Sequence, residues 1–505
     1  MKLRDILIFL PAGLASAACI SSGDQTTINT LFKSGGADTV VQLCPNTVLS
    51  VSDTISFTAD NQELSTSGYP TDNSRATIQP AANSNVSMLI TGYGFNGLRI
   101  KNIQVDGLRP SLGLVEKGGA SIELGQASTG IVISDIVSKN ARAWSCLHLL
   151  QSGDSSAPCT NVTIMNNQIG PCGNEGTNSA GISQWADGIS FACQGSLIEN
   201  NFVNGSTDGG IVLFGAPNTT VKGNTIISSA TDSGFGAINM VDYLYDGSYA
   251  GVVVTNNTIT GDKLFNAGIA IGAYAWSFND DTFLQGPATI TDNVFSGNIT
   301  FPIAVNGWTG GLTVTGNDVS KVNTPNSAFS DSNSCSAATK ALWTENAHLA
   351  YYPAGLTGSS NLQSDFIAAD ANATNFICTT APLPSSISYG VGELNVSVNS
   401  VLAELHNDIL TQYQGDSNIV TYNTSTGSYV PVWSSGHTSS TCGSDPGACL
   451  CVFTQDGDFV TTVSGQTQFS SGTGGEGHVL TFLNESPWIE VADSTGKVIW
   501  STDAN

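Results

Sequence analysis

Short segments in which apolar and polar residues alternate recur through the middle of the chain. Six of them place an asparagine two residues before their last apolar residue, and they begin at Ile164, Ile198, Val221, Val254, Ile290 and Val314. The recurrent asparagines, at 167, 201, 224, 257, 293 and 317, are separated by 34, 23, 33, 36 and 24 residues. Such a period predicts one coil of a parallel β-helix with insertions of variable length, whereas propeller blades repeat more evenly.

The six asparagines are predicted to have a structural role. Strands of neighbouring coils lie about 4.8 Å apart, so stacked amides at equivalent positions bond to one another as a ladder inside the turn. We expect these residues to build the solenoid, and we expect its interior to be filled by Ile, Val and Leu.

This repeat resembles the right-handed parallel β-helix of the pectate lyase and polygalacturonase superfamily. The resemblance covers residues 18–325, and the segments Asp38–Leu43 and Arg75–Ile78 fit its opening turns. It implies a fold and says little about chemistry, because one fold carries many activities. Residues 326–400 lose the repeat and are predicted to be an irregular cap or linker, since an exposed last coil needs a cover.

A different pattern begins near Val401. The segment from Gln414 to Tyr422 reads Q-x-D-x-N-x-V-x-Y, and its named residues are Gln414, Asp416, Asn418, Val420 and Tyr422. If the segment is one strand, all five side chains project from one face. Amides, a carboxylate and a phenol around an apolar contact suit the hydroxyls of one hexose.

These residues resemble the mannose-binding motif of the bulb-type lectin family, which implies a β-prism over residues 401–505. A second copy has Thr454, Asp458 and Thr462 where the first has Gln, Asn and Tyr. The third, around Trp488 to Trp500, lacks nearly all polar positions, so we expect one intact pocket. The predicted fold class is all-β: a right-handed parallel β-helix solenoid followed by a C-terminal bulb-lectin-like β-prism.

The N-terminus and the cysteines predict a secreted, extracellular protein. Residues 1–17 have a basic start, an apolar run and Ala15-Ser16-Ala17, as in a signal peptide. Eleven cysteines and ten Asn-x-Ser/Thr sequons fit disulfides and glycosylation. The nearest local pairs are Cys19 with Cys44, and Cys442 with Cys449 or Cys451.

The net charge of −25 weighs against nucleic acid, anionic membranes and polyanionic polysaccharides as partners. The expected partner is a neutral polysaccharide or a mannose-bearing glycan. The sequence does not indicate an oligomeric state.

Three carboxylates occupy equivalent places in successive coils: Asp187, Asp208 and Asp232. Stacked one coil apart, Asp187 and Asp208 would lie about 5 Å from each other, near the separation of a retaining glycosidase pair. Like charges at that distance raise one pKa and supply an acid beside a base. Two other interpretations stay open: an Asp-Gly turn, or a calcium site made of hard oxygen ligands. No other metal or cofactor is expected.

The catalytic signatures of the superfamily are not visible in the coils. The polygalacturonase set is absent, Arg142 is a weak counterpart of a lyase arginine, and His148 lies on a predicted strand near the coil surface. The leading hypothesis is a glycoside hydrolase that acts on a neutral cell-wall polysaccharide and is anchored to mannose-containing glycans by its C-terminal module. The alternatives are a non-catalytic glycan-binding protein on a β-helix scaffold and a polysaccharide lyase.

Overall fold

The computed structural model describes residues 19–152, 156–177, 182–242, 247–276, 283–323, 349–368, 386–405, 409–424 and 429–504. The chain divides into two compact units, Met1–Val322 with Pro353–Phe366, and Asn323–Tyr352 with Ile367–Asn505. The predicted signal peptide lies outside the described residues, as do Cys335 and Cys378.

The first unit is a solenoid of stacked coils in which each coil adds a strand to the same parallel sheets. The strands of the first column are Val40–Leu43, Glu63–Thr66, Arg99–Lys101, Val132–Ser134, Thr163–Met165, Leu197–Glu199, Thr220–Lys222, Val252–Thr255, Ala288–Thr291, Leu312–Thr315 and Ser360–Leu362. Their central residues pair in register, as in Ile133 with Ile164 and Ile164 with Ile198. Ile133, Ile164 and Ile198 are fully buried, and they belong to a continuous apolar row that runs from Val41 to Val314.

Two further columns complete each coil. The second column contains Val48–Val51, Ala76–Pro80, Ile103–Asp106, Val137–Lys139, Gln168–Ile169, Phe202–Asn204, Thr225–Ile227 and Asp318–Val322. The third contains Ile55–Ser56, Ile90–Tyr93, Ile122–Gln126, Ser145–Gln151, Asp187–Phe191, Gly209–Leu213 and Gly234–Met240. The long strands Thr258–Ile271 and Val294–Val305 run through both columns.

Short elements decorate the coils. Leu284–Gln285, Trp308–Thr309 and Leu356–Thr357 form a small parallel sheet, and Gly173–Thr177 pairs antiparallel with Ser183–Trp185. The remaining strands of this region are Leu349–Tyr351 and Phe366–Ala368, and the helical segments are Gln25–Gly35, Arg109–Leu112, Ala273–Trp276 and Pro353–Gly355.

Helix Gln25–Gly35 packs on the first coil. Asp24 caps it by accepting bonds from the backbone N–H groups of Thr26 and Thr27. Ile28 and Phe32 are fully buried, and the Phe32 ring lies 4.9 Å from that of Phe57. The helix therefore covers apolar surface that the first coil would otherwise expose.

The predicted asparagine ladder is confirmed. From Asn167 to Asn293, each Nδ2 donates to the Oδ1 of the next asparagine at 2.9 Å. The second Nδ2 hydrogen reaches a backbone carbonyl, for example from Asn224 to Ile198 at 3.0 Å. Gln363 ends the series by accepting from Asn317 Nδ2 at 3.1 Å. The ladder satisfies the turn's polar groups in the solenoid interior.

Four disulfides are present among the described cysteines. Cys19–Cys44 and Cys442–Cys449 agree with the predicted local pairs, and Cys146–Cys172 and Cys159–Cys193 each connect different coils. Cys451 is a free thiol that is buried, and its burial raises its pKa. Such a thiol is inert at neutral pH.

The C-terminal module is a β-prism of three four-stranded antiparallel sheets. The first has Ser400–Leu405, Ile409–Tyr413, Ile419–Asn423 and Val430–Ser434. The second has Asn395–Ser397, Cys449–Phe453, Phe459–Val463 and Gln466–Ser470. The third has Ser386–Gly390, Val479–Leu483, Ile489–Ala492 and Val498–Ser501. The helical segments Thr441–Ser444, Pro446–Ala448 and Thr502–Ala504 lie between or after these strands.

The three sheets surround one apolar core. Its largest fully buried members are Tyr413, Phe453, Phe459 and Phe482. Two strands, Ser386–Gly390 and Asn395–Ser397, precede residue 401, where the sequence places the start of this module. They were missed because they are short and belong to sheets whose other strands come much later in the chain.

The described structure confirms the predicted fold class of a parallel β-helix followed by a β-prism. Residues 356–362, inside the predicted cap or linker, supply two more solenoid strands. No helix in the described part of the chain is long and apolar enough to cross a membrane.

Replacing Asn224 by alanine should destabilise the solenoid by about 3 kcal/mol or more, because each buried polar group left unpaired costs about 1–3 kcal/mol. The change removes the acceptor of Asn201 Nδ2 and the donor to the Ile198 carbonyl. Urea unfolding followed by circular dichroism measures the loss. Asn361, an exposed asparagine on a solenoid strand, provides the control Asn361→Ala. Equal unfolding midpoints for the two variants would contradict the ladder's role.

Candidate functional site

A row of mostly polar residues follows the outer side of the third column. In-register pairing places one residue from each coil beside the next: Ser56, Thr91, Glu123, His148, Ser190, Val212, Asn239, Ala270 and Ala304. The alternate row, through Leu147, Ile189 and Ile211, is fully buried in the solenoid core. Because successive strand residues face opposite sides, the polar row faces away from that core.

Glu123 and His148 interact directly within this row. His148 Nδ1 lies 3.1 Å from Glu123 Oε2, and the Tyr93 hydroxyl donates to Glu123 Oε1 at 2.5 Å. Burial opposes ionisation of Glu123, but the bonds from His148 and Tyr93 outweigh it and lower its pKa. Burial and the bond to Glu123 raise the pKa of Tyr93 to about 12. Trp144 packs edge-on against the His148 ring, with centroids 4.7 Å apart. Glu123 and Trp144 thus both contact the His148 ring.

Asp187 begins the neighbouring strand and is almost fully enclosed, with 4% of its surface exposed. Its Oδ2 accepts from Ser190 Oγ at 2.8 Å, and its Oδ1 accepts from the Gly209 backbone N–H at 2.9 Å. Burial raises the pKa of Asp187 well above its usual range, and the nearby charge of Asp208 raises it further. Two hydrogen bonds hold its carboxyl group in one orientation.

Asp208 and Asp242 complete a cluster of three carboxyl groups. Both are only partly exposed. Burial and the charge of Asp242 raise the pKa of Asp208 to about 7, and burial raises that of Asp242 to about 6. Near neutral pH the cluster therefore contains a protonated carboxyl group beside an ionised one.

Asp232, the third carboxylate expected from the sequence, lies in a different environment. Its Oδ2 accepts from Thr231 Oγ1 at 2.6 Å, and its Oδ1 accepts from the Glu175 backbone N–H at 3.1 Å. Burial opposes ionisation, but these bonds and the charge of Lys263 lower its pKa. The structure brings Asp187 and Asp208 together and places Asp232 in a structural turn with Glu175 and Lys263.

Asn239 is a buried amide beside this cluster. It is 0% exposed, and within the described residues neither its Nδ2 nor its Oδ1 has a hydrogen-bond partner. A Cβ placed on Gly209 would lie 2.6 Å from Asn239 Nδ2 and 3.2 Å from Asp187 Oδ1. A side chain at 209 would therefore crowd both groups, and the amide and the carboxyl group both approach this one position.

The positions of the described side chains support neither a metal site nor a lyase site. Among the described residues, no group of three or more His, Cys, Asp or Glu side chains is arranged to hold a metal ion. Arg142 is 4% exposed, and it donates to the backbone carbonyls of Gly113, Ser84, Val86 and Leu112. Its guanidinium thus anchors loops, which differs from the proposed role of a lyase arginine.

In the β-prism, the segment from Gln414 to Tyr422 is a hairpin, which corrects the expectation of one strand. Residues 414–418 form the turn, with the Gln414 N–H donating to the Asn418 carbonyl at 2.8 Å and Ser417 at φ 74°. Asp416 explains the turn, because its Oδ1 accepts from the Asn418 N–H at 3.1 Å. Gln412 pairs with Val420, so Gln414, Asn418, Val420 and Tyr422 still share the outer face.

The polar groups of this hairpin are fixed by their neighbours. Asn418 Oδ1 accepts from Ser434 Oγ at 3.1 Å, Ser435 Oγ at 2.8 Å and the Gly436 N–H at 3.1 Å. Gln414 Nε2 donates to the Tyr422 hydroxyl. The Asn418 amide is held by its oxygen, so its amino group is the half that is available to a ligand.

The same hairpin occurs in all three sheets, with turns at 414–418, 454–458 and 493–497. Asp458 takes the place of Asn418, with Ser470 Oγ donating to its Oδ2 at 2.6 Å and Ser471 Oγ to its Oδ1 at 2.8 Å. The third turn carries Asp493, Thr495 and Lys497 at the corresponding positions. The third copy is therefore polar, contrary to the sequence interpretation, although its residue types differ.

The sequence analysis did not identify four residues that lie in or beside the polar row and the carboxyl cluster. Glu123 and Tyr93 lie on strands whose coils depart from the recognised repeat, and Asp242 follows the strand Gly234–Met240 at a position where no other coil has a carboxylate. Asn239 carries no motif. In-register pairing places Glu123 and Asn239 in the polar row, and the electrostatic interaction with Asp187 and Asp208 places Asp242 near them.

Comparisons with known proteins agree with the solenoid fold. The family model described as the right-handed β-helix region matches residues 177–319. No curated protein sequence matches the chain.

Several solved structures are similar at low identity. The catalytic unit of a GH87 α-1,3-glucanase from Streptomyces thermodiastaticus is 14% identical, with 74% of this chain and 72% of that chain covered and a TM-score of 0.40. The A-module of the mannuronan C-5 epimerase AlgE4 from Azotobacter vinelandii is 13% identical, with 61% and 94% covered and a TM-score of 0.31. A monocot mannose-binding lectin from Gastrodia elata is 21% identical, with 24% and 98% covered and a TM-score of 0.19. These similarities do not indicate a substrate or a reaction.

Replacing Asp187 by asparagine should raise the thermal midpoint at pH 8 and change it little at pH 4. With its raised pKa, Asp187 keeps its proton in the folded state at pH values where the unfolded chain has lost it, so folding stability falls as the pH rises through that window. Asparagine removes this loss. Calorimetry at the two pH values measures the effect.

Asp232→Asn is the control of opposite sign. The lowered pKa of Asp232 means that its ionised form contributes stability above the usual aspartate range and loses it as the pH falls through the folded pKa. This variant should be less stable than the wild type at pH 8. A lower midpoint for Asp187→Asn at pH 8 would contradict the burial argument.

Proposed function

We propose that this protein is an exported glycoside hydrolase whose β-helix cleaves a neutral polysaccharide. The observation that carries the proposal is the carboxyl cluster of Asp187, Asp208 and Asp242, with a pKa of about 7 at Asp208 and about 6 at Asp242. Glycoside hydrolysis needs one protonated and one ionised carboxyl group on either side of the scissile bond. When their surroundings give two such groups different pKa values, the group with the higher pKa acts as the acid and the other as the base or nucleophile.

Asp208 is the proposed general acid and Asp242 the proposed nucleophile or base. Asp208 donates its proton to the glycosidic oxygen as that bond breaks, and the Asp242 carboxylate either attacks the anomeric carbon or takes a proton from the attacking water. Both residues are partly exposed. Asp187 lies beneath them, bonded to Ser190 and Gly209, as a positioning residue.

The charge of the protein favours a neutral substrate. A net charge of −25 and a carboxylate-rich site repel uronate chains. Arg142, the candidate lyase base, is bonded to backbone carbonyls. Elimination is therefore less favoured than hydrolysis.

We also propose that the first hairpin of the β-prism binds a mannose-type hexose and anchors the enzyme to its substrate. Gln414, Asp416, Asn418 and Tyr422 supply polar groups around Val420 on one hairpin, and Tyr429 packs edge-on against Tyr422 with centroids 5.4 Å apart. Anchoring raises the local substrate concentration. The four disulfides suit the extracellular location that this function requires.

Activity should show a bell-shaped pH dependence with limbs near pH 6 and 7. The rising limb follows ionisation of Asp242, and the falling limb follows proton loss from Asp208. Reducing-end release from a panel of neutral glucans and mannans measures this profile, and NMR of the first product gives the anomeric outcome.

Asp208→Asn and Asp242→Asn should each lower kcat/KM by about 100-fold or more, whereas Asp262→Asn, an exposed carboxylate on a neighbouring coil, should not. Turnover that survives in both cluster variants would refute the assignment. No product from the wild type on any panel member, with glycan binding retained, would instead favour a non-catalytic glycan-binding protein.

Asn418→Ala should abolish retention on immobilised mannan, because it removes the amide whose amino group is proposed to donate to the sugar and leaves the Ser434 and Ser435 hydroxyl groups without their acceptor. Asp458→Ala is a matched control, since Asp458 accepts equivalent bonds from Ser470 and Ser471 in the second sheet. It should disturb local structure equally and leave retention unchanged. Equal retention by the two variants would remove the first hairpin from the proposal.

A further inference from the structure

We propose that a cavity between the loop 114–118 and the strand Ser183–Trp185 is a subsite that binds one neutral hexose unit of the substrate. This inference rests on the proposed hydrolase function and deepens it. The cavity has a volume of about 140 Å³, and its lining includes Leu114, Val115, Trp144 and Trp185.

The shape and lining of the cavity suit a single sugar ring. Drug-sized ligands occupy pockets of about 300–1,000 Å³, so a cavity of 140 Å³ holds a smaller group. Two indole rings offer apolar faces for the C–H side of a sugar. Trp185 is 47% exposed, so one of these rings is open to an incoming chain.

Polar groups at the rim make the cavity selective for a neutral polyol. Glu116 and Lys117 carry opposite charges, and Ser183 adds a hydroxyl group. Together they provide hydrogen-bond donors and acceptors without a net charge. A uronate gains no net attraction from such a rim, whereas a hexose finds partners for its hydroxyl groups.

The cavity lies next to the carboxyl cluster. Trp185 precedes Asp187 by two residues, and the Asp187 backbone N–H donates to the Trp144 carbonyl at 2.8 Å. Trp144 also contacts His148, whose partner in register is Ser190, the residue bonded to Asp187. The cavity is therefore adjacent to the strand that begins with Asp187.

Buried arginines hold both walls in place. Arg142 donates to the carbonyls of Leu112 and Gly113, at the start of the loop. Arg109 donates to the carbonyls of Ala143 and Gln184, so it connects the coil to the strand that bears Trp185. Because these bonds fix both walls of the cavity, little ordering cost remains for binding.

The test measures oligosaccharide binding in the full chain carrying Asn418→Ala, which removes the proposed prism site. Isothermal titration with gluco- and mannohexaoses is compared for this background alone and with Trp185→Ala, Trp185→Phe or Phe202→Ala. Trp185→Ala should raise the Kd about tenfold, as expected for loss of one aromatic contact. Trp185→Phe should retain most of the affinity. Phe202 is 41% exposed on another solenoid strand, and Phe202→Ala should leave the Kd unchanged.

Two results would overturn the inference: no hexaose binding in the background, or a Kd unchanged by Trp185→Ala. A parallel reducing-end assay on the wild type distinguishes failure of the subsite inference from failure of the hydrolase proposal. Product release with a Kd insensitive to Trp185 removes the subsite alone. Trp185-dependent binding without product removes the hydrolase and leaves a glycan-binding surface.

Discussion

In-register pairing of successive coils is the constraint on which the rest of the solenoid depends. It repeats every side-chain position at one strand spacing, about 4.8 Å. On the inner side this spacing gives the apolar row through Ile189 and Ile211 and brings each ladder amide within reach of the next. On the outer side the same spacing places Glu123 beside His148 and His148 beside Ser190. The same register therefore determines both the apolar core and the polar row on the outer side of the coils.

The carboxyl cluster lowers the stability of the fold. Asp187 is enclosed with Asp208 and Asp242 nearby, and every one of these groups resists ionisation. In the proposed hydrolase, this loss of stability is the cost of the carboxyl groups that act on the substrate. The surrounding coils offset this loss of stability. The ladder supplies hydrogen bonds inside the turns, and Cys146–Cys172 and Cys159–Cys193 cross-link the neighbouring coils. The carboxyl cluster thus lies among coils that hydrogen bonds and disulfides stabilise.

Much of the architecture could be predicted from the sequence, and the composition of the site only partly. The ladder was predictable because each coil repeats one asparagine in one context. Asp232 resembled Asp187 because each is closely followed by a glycine, Gly234 and Gly188, but Ser229 and Thr231 hold Asp232 in a turn that the pattern does not encode. Asp242 was missed because a variable loop has no period. In the β-prism, the two-residue alternation from Gln414 to Tyr422 continues through a hairpin turn, so alternation alone did not distinguish one strand from two.

The two serine-lined hairpins of the β-prism hold different side chains at one equivalent position. Ser434 and Ser435 hold the oxygen of an amide at 418, and Ser470 and Ser471 hold a carboxylate at 458. The scaffold accepts either side chain, yet only the amide brings N–H donors to the surface. The exchange of an amide nitrogen for a carboxylate oxygen at this position therefore changes which hydrogen-bonding groups the turn presents, while the paired strands and the serine contacts stay the same.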